Sequence, residues 1–279
     1  MTGKGKILAA AGAVCAGCLW MWKGRTGNPA CAPLEGQVYA HRGLHGPGAP
    51  ENSREAFRRA AARGFGAELD VHLLADGGLA VMHDSALRRT TGDAGEIEDL
   101  TTAQLAEHTL LGSSEAIPTL GEVLDIMGQG GGPLIVELKT RGNNGAALSE
   151  AVCRELDDWP GVWCIESFDP RVVRWLRQNR PDVVRGQLSC DFIRDRAGLS
   201  LPTAFALTHL MGNLVTRPDF VAYRFSDRRH LANRICRELW HVKGASWTLH
   251  SKAELDQARA EGLWPIFEGF DPKTGAPLT

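Results

Sequence analysis

Little in this chain points to nucleic acid, to a thiolate metal site or to a repeat architecture. The formal net charge is −2 over 279 residues, so no global basic surface awaits a phosphate backbone and no nucleic-acid partner is expected. No close-spaced Cys and His sets of the zinc type occur. The seven cysteines are an odd number. Cys15-Ala16-Gly17-Cys18 has redox spacing but lies inside an apolar run, and most of the others read as buried apolar thiols. That pattern does not demand an oxidising compartment. There is no long internal repeat and no low-complexity segment beyond the glycine-rich stretch 128–132.

The N-terminal apolar run, Ile7 to Trp22, is also short. Its sixteen uncharged residues would span about 24 Å as a helix, against a hydrocarbon core of roughly 30 Å. Lys4 and Lys6 precede it, Lys23 and Arg25 follow it, and Trp20 and Trp22 lie near its end. Snorkelling cations and interfacial tryptophans make up such a shortfall. The favoured expectation is an uncleaved membrane anchor, with residues 1–36 outside the fold and Asn28 to Gly36 as a linker. A cleaved signal peptide, giving a secreted protein, is the alternative, although bulky Leu19 through Lys23 stand where a small-x-small site belongs. A lipoprotein site at Cys18 is weaker, because the apolar run continues past it. Charge is uneven further on. From Arg171 to Arg237 there are 13 Arg and no Lys against 5 Asp and no Glu, which reads either as a solvated basic face or as attraction to anionic headgroups or phosphate substrates.

From residue 37 the chain alternates strand-like and helix-like segments. Val38 to His41, Ala67 to Leu74, Leu79 to His83, Leu134 to Leu138, Val162 to Phe168, Val183 to Leu188, Phe220 to Phe225, Ala245 to Leu249 and Pro265 to Glu268 read as strands. Ser53, Thr119-x-x-Glu122 and Ser251-x-x-Glu254 read as helix starts, and a helix is expected over roughly 226–239. Asp76-Gly77-Gly78 is too short for a parallel crossover, so that link is a hairpin. Removing its second strand leaves eight strand–helix units, the pattern of an α/β (β/α)8 TIM barrel over residues 37–279. Residues 85–117 break the alternation and read as a small inserted cap.

Polar groups cluster at strand ends, where such a barrel presents its chemistry. His41-Arg42 ends the first run, Glu68-Leu69-Asp70 lies in the second, His83-Asp84 ends the third, and Glu137-Leu138-Lys139 ends the fourth. A two-residue turn at Asp76 and Gly77 would set Asp70 opposite His83, with Glu68 on the same face by parity. Glu68, Asp70 and Glu137 make an all-oxygen site of the type hard cations take, Ca²⁺ or Mg²⁺. His41 and His83 suit general acid–base work near neutral pH. Arg42 and Lys139 suit an anion. Together these suit phosphoryl chemistry on a phosphate ester. Taken singly each is commoner as a structural residue; their joint placement argues for a site. His72 shares the face of Glu68 and Asp70 by parity and is a spare candidate. Trp247 stacks on a substrate or packs in the core.

The words His41-Arg42-Gly43, Glu51-Asn52-Ser53, Glu68-Leu69-Asp70-Val71, Asp76-Gly77, His83-Asp84, Thr90-Thr91-Gly92, Ile117-Pro118-Thr119-Leu120, Glu137-Leu138-Lys139, Ser167-Phe168 and Trp247-Thr248 keep one order and spacing over residues 39 to about 250. In this the chain resembles the glycerophosphodiester phosphodiesterases. The resemblance implies a (β/α)8 barrel with an insertion after the histidine–aspartate strand. It implies one divalent cation on Glu68, Asp70 and Glu137, and His41 and His83 as the acid–base pair. Arg42 and Lys139 would contact phosphate, and Glu51 and Asn52 would line the site. The reaction implied is hydrolysis of a glycerophosphodiester to an alcohol and sn-glycerol 3-phosphate. Two departures stand at the substrate end: His250 replaces a frequent Asn, and Pro265-Ile266-Phe267-Glu268-Gly269-Phe270 replaces the usual closing stretch. A phospholipase of the same barrel acting on intact phospholipids is the alternative. A headgroup-binding module without catalysis fits less well, since both histidines and all three carboxylates are present.

Overall fold

The computed structural model describes residues 19–196 and 198–278. Eight parallel strands close a barrel: β1 (Tyr39–Ala40), β2 (Gly66–Leu73), β4 (Leu134–Leu138), β5 (Trp163–Ser167), β6 (Arg185–Ser189), β7 (Phe220–Arg224), β8 (Lys243–Leu249) and β9 (Leu263–Phe267). The seam is shut by β1, which pairs with β2 on one side and β9 on the other. The short β3 (Leu79–Val81) hangs antiparallel on β2.

Period-two alternation sorts the strand residues into two cores. On β4, Leu134, Val136 and Leu138 join the outer cluster under the helices, while Ile135 joins the inner cluster with Tyr39, Cys164, Leu188, Phe220 and Ile266. The helices are started by side-chain caps. Ser53 Oγ accepts from Ala56 N at 3.1 Å to open α1 (Arg54–Ala62). Thr119 and Glu122 form a capping box at α2 (Leu120–Met127). Asp169 caps α3 (Pro170–Asn179), with Pro170 in the first turn where no amide partner is needed. Their apolar faces, Phe57 and Ala60, Val123 and Leu124, and Val172 and Leu176, complete the outer layer.

Residues 85–117 fold back over β3 with a small core of their own, in which Leu87, Ile97, Leu105, Leu110 and Ile117 surround Ala80 and Met82. Of the helix expected over 226–239, residues 231–239 form one continuous helix, Leu231–Arg234 running into the wider π turn of Ile235–Leu239, while the chain before it is a separate 3₁₀ turn, Phe225–Asp227. Asn233 Nδ2 donates to the Arg228 carbonyl at 2.8 Å, taking that acceptor out of a regular ladder.

The segment before the first strand departs most from expectation. Most of the expected anchor, Ile7 to Trp22, lies outside the described residues, and no described helix is long and apolar enough to cross a membrane. Residues 19–36 are not a detached linker. Arg25 reaches the buried Asp219 with Nε at 2.5 Å and Nη2 at 2.6 Å, and Asn28 Nδ2 joins at 2.9 Å. Trp22 Nε1 donates to the His209 carbonyl at 2.6 Å. Pro29–Leu34 forms a 3₁₀ turn whose Cys31 and Leu34 sit in the inner cluster, and Tyr39 Oη donates to the Leu34 carbonyl at 2.7 Å. Proline and glycine there shape a floor under the N-terminal ends of the strands. Packing therefore begins at least eighteen residues before the expected boundary at 37.

Candidate active site

The turn after β1 is sharp. Arg42 (φ 54°) and Gly43 (φ 75°) are both left-handed, and a Cβ on Gly43 would stand 2.9 Å from Ala56 Cβ. Only glycine fits there. The turn aims the Arg42 amide at Glu68 Oε2 (3.0 Å) and leaves His41 facing the barrel mouth. Asn52, also left-handed at φ 56°, donates from Nδ2 to Asp70 Oδ2 at 2.8 Å. The Glu51-Asn52 loop is thereby pinned to β2.

Strand register makes the acidic row. Asp70 stands beside Glu137, and Glu137 beside Glu166, with Glu68 one layer deeper on β2. Glu68, Asp70 and Glu137 each offer an oxygen within 4.8 Å of the others, and all three are buried. Lys139 Nζ bridges Asp70 Oδ1 (2.9 Å) and Glu137 Oε1 (2.6 Å), so its ammonium lies on carboxylates. Arg42 is likewise engaged, by Glu51 Oε1 at 2.9 Å and near Asp70 Oδ2 at 3.5 Å. Burial and the neighbouring negative charges push Glu68 well above the usual carboxylate range. Burial raises Glu137 to about 7. Burial also opposes ionisation of Asp70, but Lys139, His83 and Arg42 outweigh it and hold Asp70 low.

Each imidazole is oriented through Nδ1 by a carboxylate. His41 Nδ1 meets Glu268 Oε2 at 2.6 Å, which leaves Nε2 on the mouth side, 3.8 Å from Glu68 Oε2. His83 Nδ1 meets Asp84 Oδ1 at 2.6 Å. Arg89 pairs Asp84, and reaches Glu51 with Nη2 to Oε1 at 2.6 Å, so one network runs from His83 to Arg42. Burial lowers both imidazoles, His83 to about 4.

His83 does not arrive by the expected pairing. The hairpin loop has three residues, Ala75 to Gly77, closed by Leu74 N to Gly78 O at 2.9 Å, with Gly77 left-handed at φ 87°. The register is one residue off the expected one: Val71 pairs Val81, and β3 ends there. Met82 N bonds the Asp70 carbonyl at 3.1 Å, and the chain bends so that His83 still reaches the mouth. His72 does not line the cavity but stands behind it, its Nε2 3.3 Å from the His83 carbonyl. It is buried under the cap, with Nδ1 2.9 Å from Glu98 Oε1.

These groups surround a cavity of about 350 Å³. Its floor is polar. One wall is apolar, made by Phe168, Leu188, Trp247 and Ile266. Trp247 stands edge-to-face with Phe168 at 5.6 Å, and its Nε1 is 3.3 Å from the Ala222 carbonyl. His41, Arg42, Glu51, Glu68, His83, Glu137 and Trp247 all line the cavity, whereas Asn52, Asp70 and Lys139 act from behind that lining. Four lining carboxylate or imidazole groups had been given no site role: Glu166, Glu268, His45 and His250. Glu166 is buried, Oε2 has no partner, and burial with Glu137 nearby pushes it well above the carboxylate range. A lone carboxylate in the apolar run Trp163 to Phe168 was its one sequence signal.

A profile of the glycerophosphoryl diester phosphodiesterase family matches residues 41–221. The chain belongs to this family. Among curated glycerophosphodiester phosphodiesterases, one from Bacillus altitudinis is 38% identical over 129 residues, covering 43% of this chain and 52% of its own length. The human glycerophosphodiester phosphodiesterase 1 is 34% identical over 158 residues, covering 52% of this chain and 46% of its own. The chain thus spans about half the length of the curated relatives it matches. Among solved structures, an Oleispira antarctica phosphodiesterase in complex with the product sn-glycerol-3-phosphate superposes with a TM-score of 0.70 at 22% identity, over 88% of this chain and 95% of that one. The barrel is the fold of the glycerophosphodiester phosphodiesterases.

Proposed function

We propose that the chain hydrolyses glycerophosphodiesters to an alcohol and sn-glycerol 3-phosphate, using a divalent cation, Ca²⁺ or Mg²⁺. One observation carries the reading: two carboxylate-oriented imidazoles and three buried carboxylates meet at one barrel mouth, beside an arginine and a lysine. Family membership and the product bound by the Oleispira antarctica relative support the same substrate class.

Glu68, Asp70 and Glu137 fit a hard cation. Their oxygens are all-carboxylate, close and buried, and Glu68 and Glu137 are driven toward the neutral form by burial and mutual repulsion that a cation would relieve. When bound, such a cation withdraws charge from the phosphate and orients hydroxyl oxygens. The protein's own groups do the rest. With Nδ1–H given to a carboxylate, each imidazole presents Nε2 to the cavity. One Nε2 removes the proton from the attacking oxygen. The other holds the proton that leaves with the alkoxide, and the anionic phosphodiester facing it favours that charged form. Arg42, in the cavity lining, holds positive charge for the phosphate, while Lys139 adds positive charge from behind it, on Asp70 and Glu137. The apolar wall of Phe168, Leu188, Trp247 and Ile266 excludes water on the opposite side.

The test is release of glycerol 3-phosphate from glycerophosphocholine by the full chain, with Ca²⁺, with Mg²⁺ and with EDTA, beside His41→Ala and Glu68→Ala. Metal-dependent release lost in both variants establishes reaction and site together. Release that survives EDTA and both substitutions refutes the assignment.

A further inference from the structure

One flank of the barrel differs from the rest of the surface. Twelve large apolar side chains are exposed among the described residues, and ten of them fall within residues 19–20 and 193–239. Such concentration marks an interaction surface rather than scattered surface hydrophobes. Leu201, Phe205, Met211, Leu214, Val215 and Leu231 form its body, each between 38% and 64% exposed.

These residues are joined in space. The Phe205 ring stacks on His209 at 4.0 Å, and His209 meets the edge of His230, next to Leu231, at 4.7 Å. Met211 N bonds the Ala206 carbonyl at 2.9 Å, and Leu214 N the Met211 carbonyl at 3.3 Å. Leu214 and Val215 then share a shallow groove of about 310 Å³ with Arg174 and Arg177.

The flank is also basic. Most of it lies within residues 171–237, which carry 13 Arg and no Lys against 5 Asp and no Glu; Glu238, just beyond, is paired with Arg234 at 2.9 Å. Arg194 and Arg224 are ion-paired with Asp195 and Asp227. Arg174, Arg177 and Arg229 are exposed, and among the described residues none of these three has a carboxylate partner. Apolar side chains interspersed with long-stemmed cations match the headgroup zone of an anionic bilayer, where stems lie along acyl chains and guanidiniums meet phosphates.

The N-terminal segment meets this same flank. Trp22 Nε1 donates to the His209 carbonyl, Trp240 Nε1 donates to the Leu19 carbonyl at 2.7 Å, and the Arg217 guanidinium lies 3.7 Å over the Trp20 ring. The apolar run that begins at Ile7 therefore enters the described structure at the edge of the exposed patch. We propose that the flank formed by residues 201–216 and 229–239, with Leu19, Trp20, Arg174 and Arg177, is a docking surface for an anionic lipid bilayer. It would hold the barrel at the membrane through the folded domain itself, separately from any insertion of residues 7–18.

The test is flotation of the full chain with vesicles of phosphatidylglycerol and of phosphatidylcholine. A companion chain carrying Val14→Asp and Ala10→Asp breaks the N-terminal apolar run. The expected result is that the companion still binds phosphatidylglycerol vesicles in preference to phosphatidylcholine, and loses binding as salt rises. Arg174→Gln with Arg177→Gln in the companion should weaken that binding roughly 30-fold, at about fivefold per arginine. Leu214→Ser with Leu231→Ser should weaken it comparably while circular dichroism and glycerophosphocholine hydrolysis stay unchanged, which keeps failure here distinct from failure of the proposed reaction. Three results would each overturn the proposal: a companion chain that binds neither vesicle, binding indifferent to both pairs of flank variants, or a flank that proves to be buried in a dimer by sedimentation.

Discussion

His41 and Glu268 lie 227 residues apart in sequence and 2.6 Å apart in space, across the seam where the first and last strands meet. Glu268 also lies 3.4 Å from His45 Nε2 and, through Oε1, 3.4 Å from His250 Nδ1. Burial opposes its ionisation, yet the hydrogen bond from His41 and the nearby His45 imidazole hold it well below the usual carboxylate range. Glu268→Ala should therefore lower kcat by roughly 100-fold. KM for glycerophosphocholine should change little, and Glu268→Gln, which keeps an acceptor but not the charge, should fall between. A loss confined to KM would instead place Glu268 in substrate binding.

The acidic row makes a second prediction. Without a cation, Glu68 and Glu137 are mutually repelled and buried. Glu137→Gln should raise the melting temperature in EDTA by removing one of these charges. The same variant should abolish the rise in melting temperature that saturating Ca²⁺ or Mg²⁺ gives the parent chain, a rise worth about 2.7 kcal/mol at 100 times Kd. A parent chain whose melting is indifferent to both ions would count against the metal assignment.

The floor makes a third. Asp219 is buried and accepts from Arg25, from Asn28 Nδ2 at 2.9 Å and from Arg185 N at 3.0 Å. Asp219→Ala leaves all three donors without that partner and should cost about 3–5 kcal/mol, read as a fall in the denaturant midpoint. Arg25→Ala should cost less, since Asn28 and Arg185 still satisfy the carboxylate. Equal, negligible effects would mean that residues 19–36 do not brace the barrel.

Acid stability gives a fourth. Although burial opposes it, the bonds from Arg89 and His83 lower Asp84 to about 2. A depressed carboxylate contributes stability above its unfolded value of about 3.9, and that contribution is lost as the pH falls toward about 2. The gap in melting temperature between the parent chain and Asp84→Asn should thus be widest above about pH 5 and should close on acidification. A gap that widens in acid would reverse the sign and refute it.

The barrel and the core of the site were legible because each informative polar residue interrupts an apolar run. His41, Asp70 and Glu137 stand out for that reason, and counting strands with one hairpin removed yields the eight-stranded closure. What escaped was whatever depends on tertiary closure. Glu166 becomes part of the acidic row only through the pairing of β4 with β5. Glu268 becomes a partner of His41 only when β9 meets β1. The hairpin slipped by one residue because a turn of two residues and one of three with a left-handed glycine share the same Asp76-Gly77 composition. The floor was misread because Pro29, Pro33 and Gly36 mark linkers and 3₁₀ turns alike, and the Arg25–Asp219 contact spans 194 residues.

The first strand has a consequence for how the protein comes into being. It is two residues long and owes its place to neighbours from both ends of the chain. During synthesis His41 leaves the ribosome 227 residues ahead of Glu268. Until β9 and Glu268 have emerged and docked, the nascent barrel has an open seam, an imidazole without its carboxylate, and the unpaired edges of β1 and β8 facing solvent. A chain lacking β9 and Glu268 should therefore lack the hydrolysis proposed above even with His41, Glu68, Asp70, His83 and Glu137 in place.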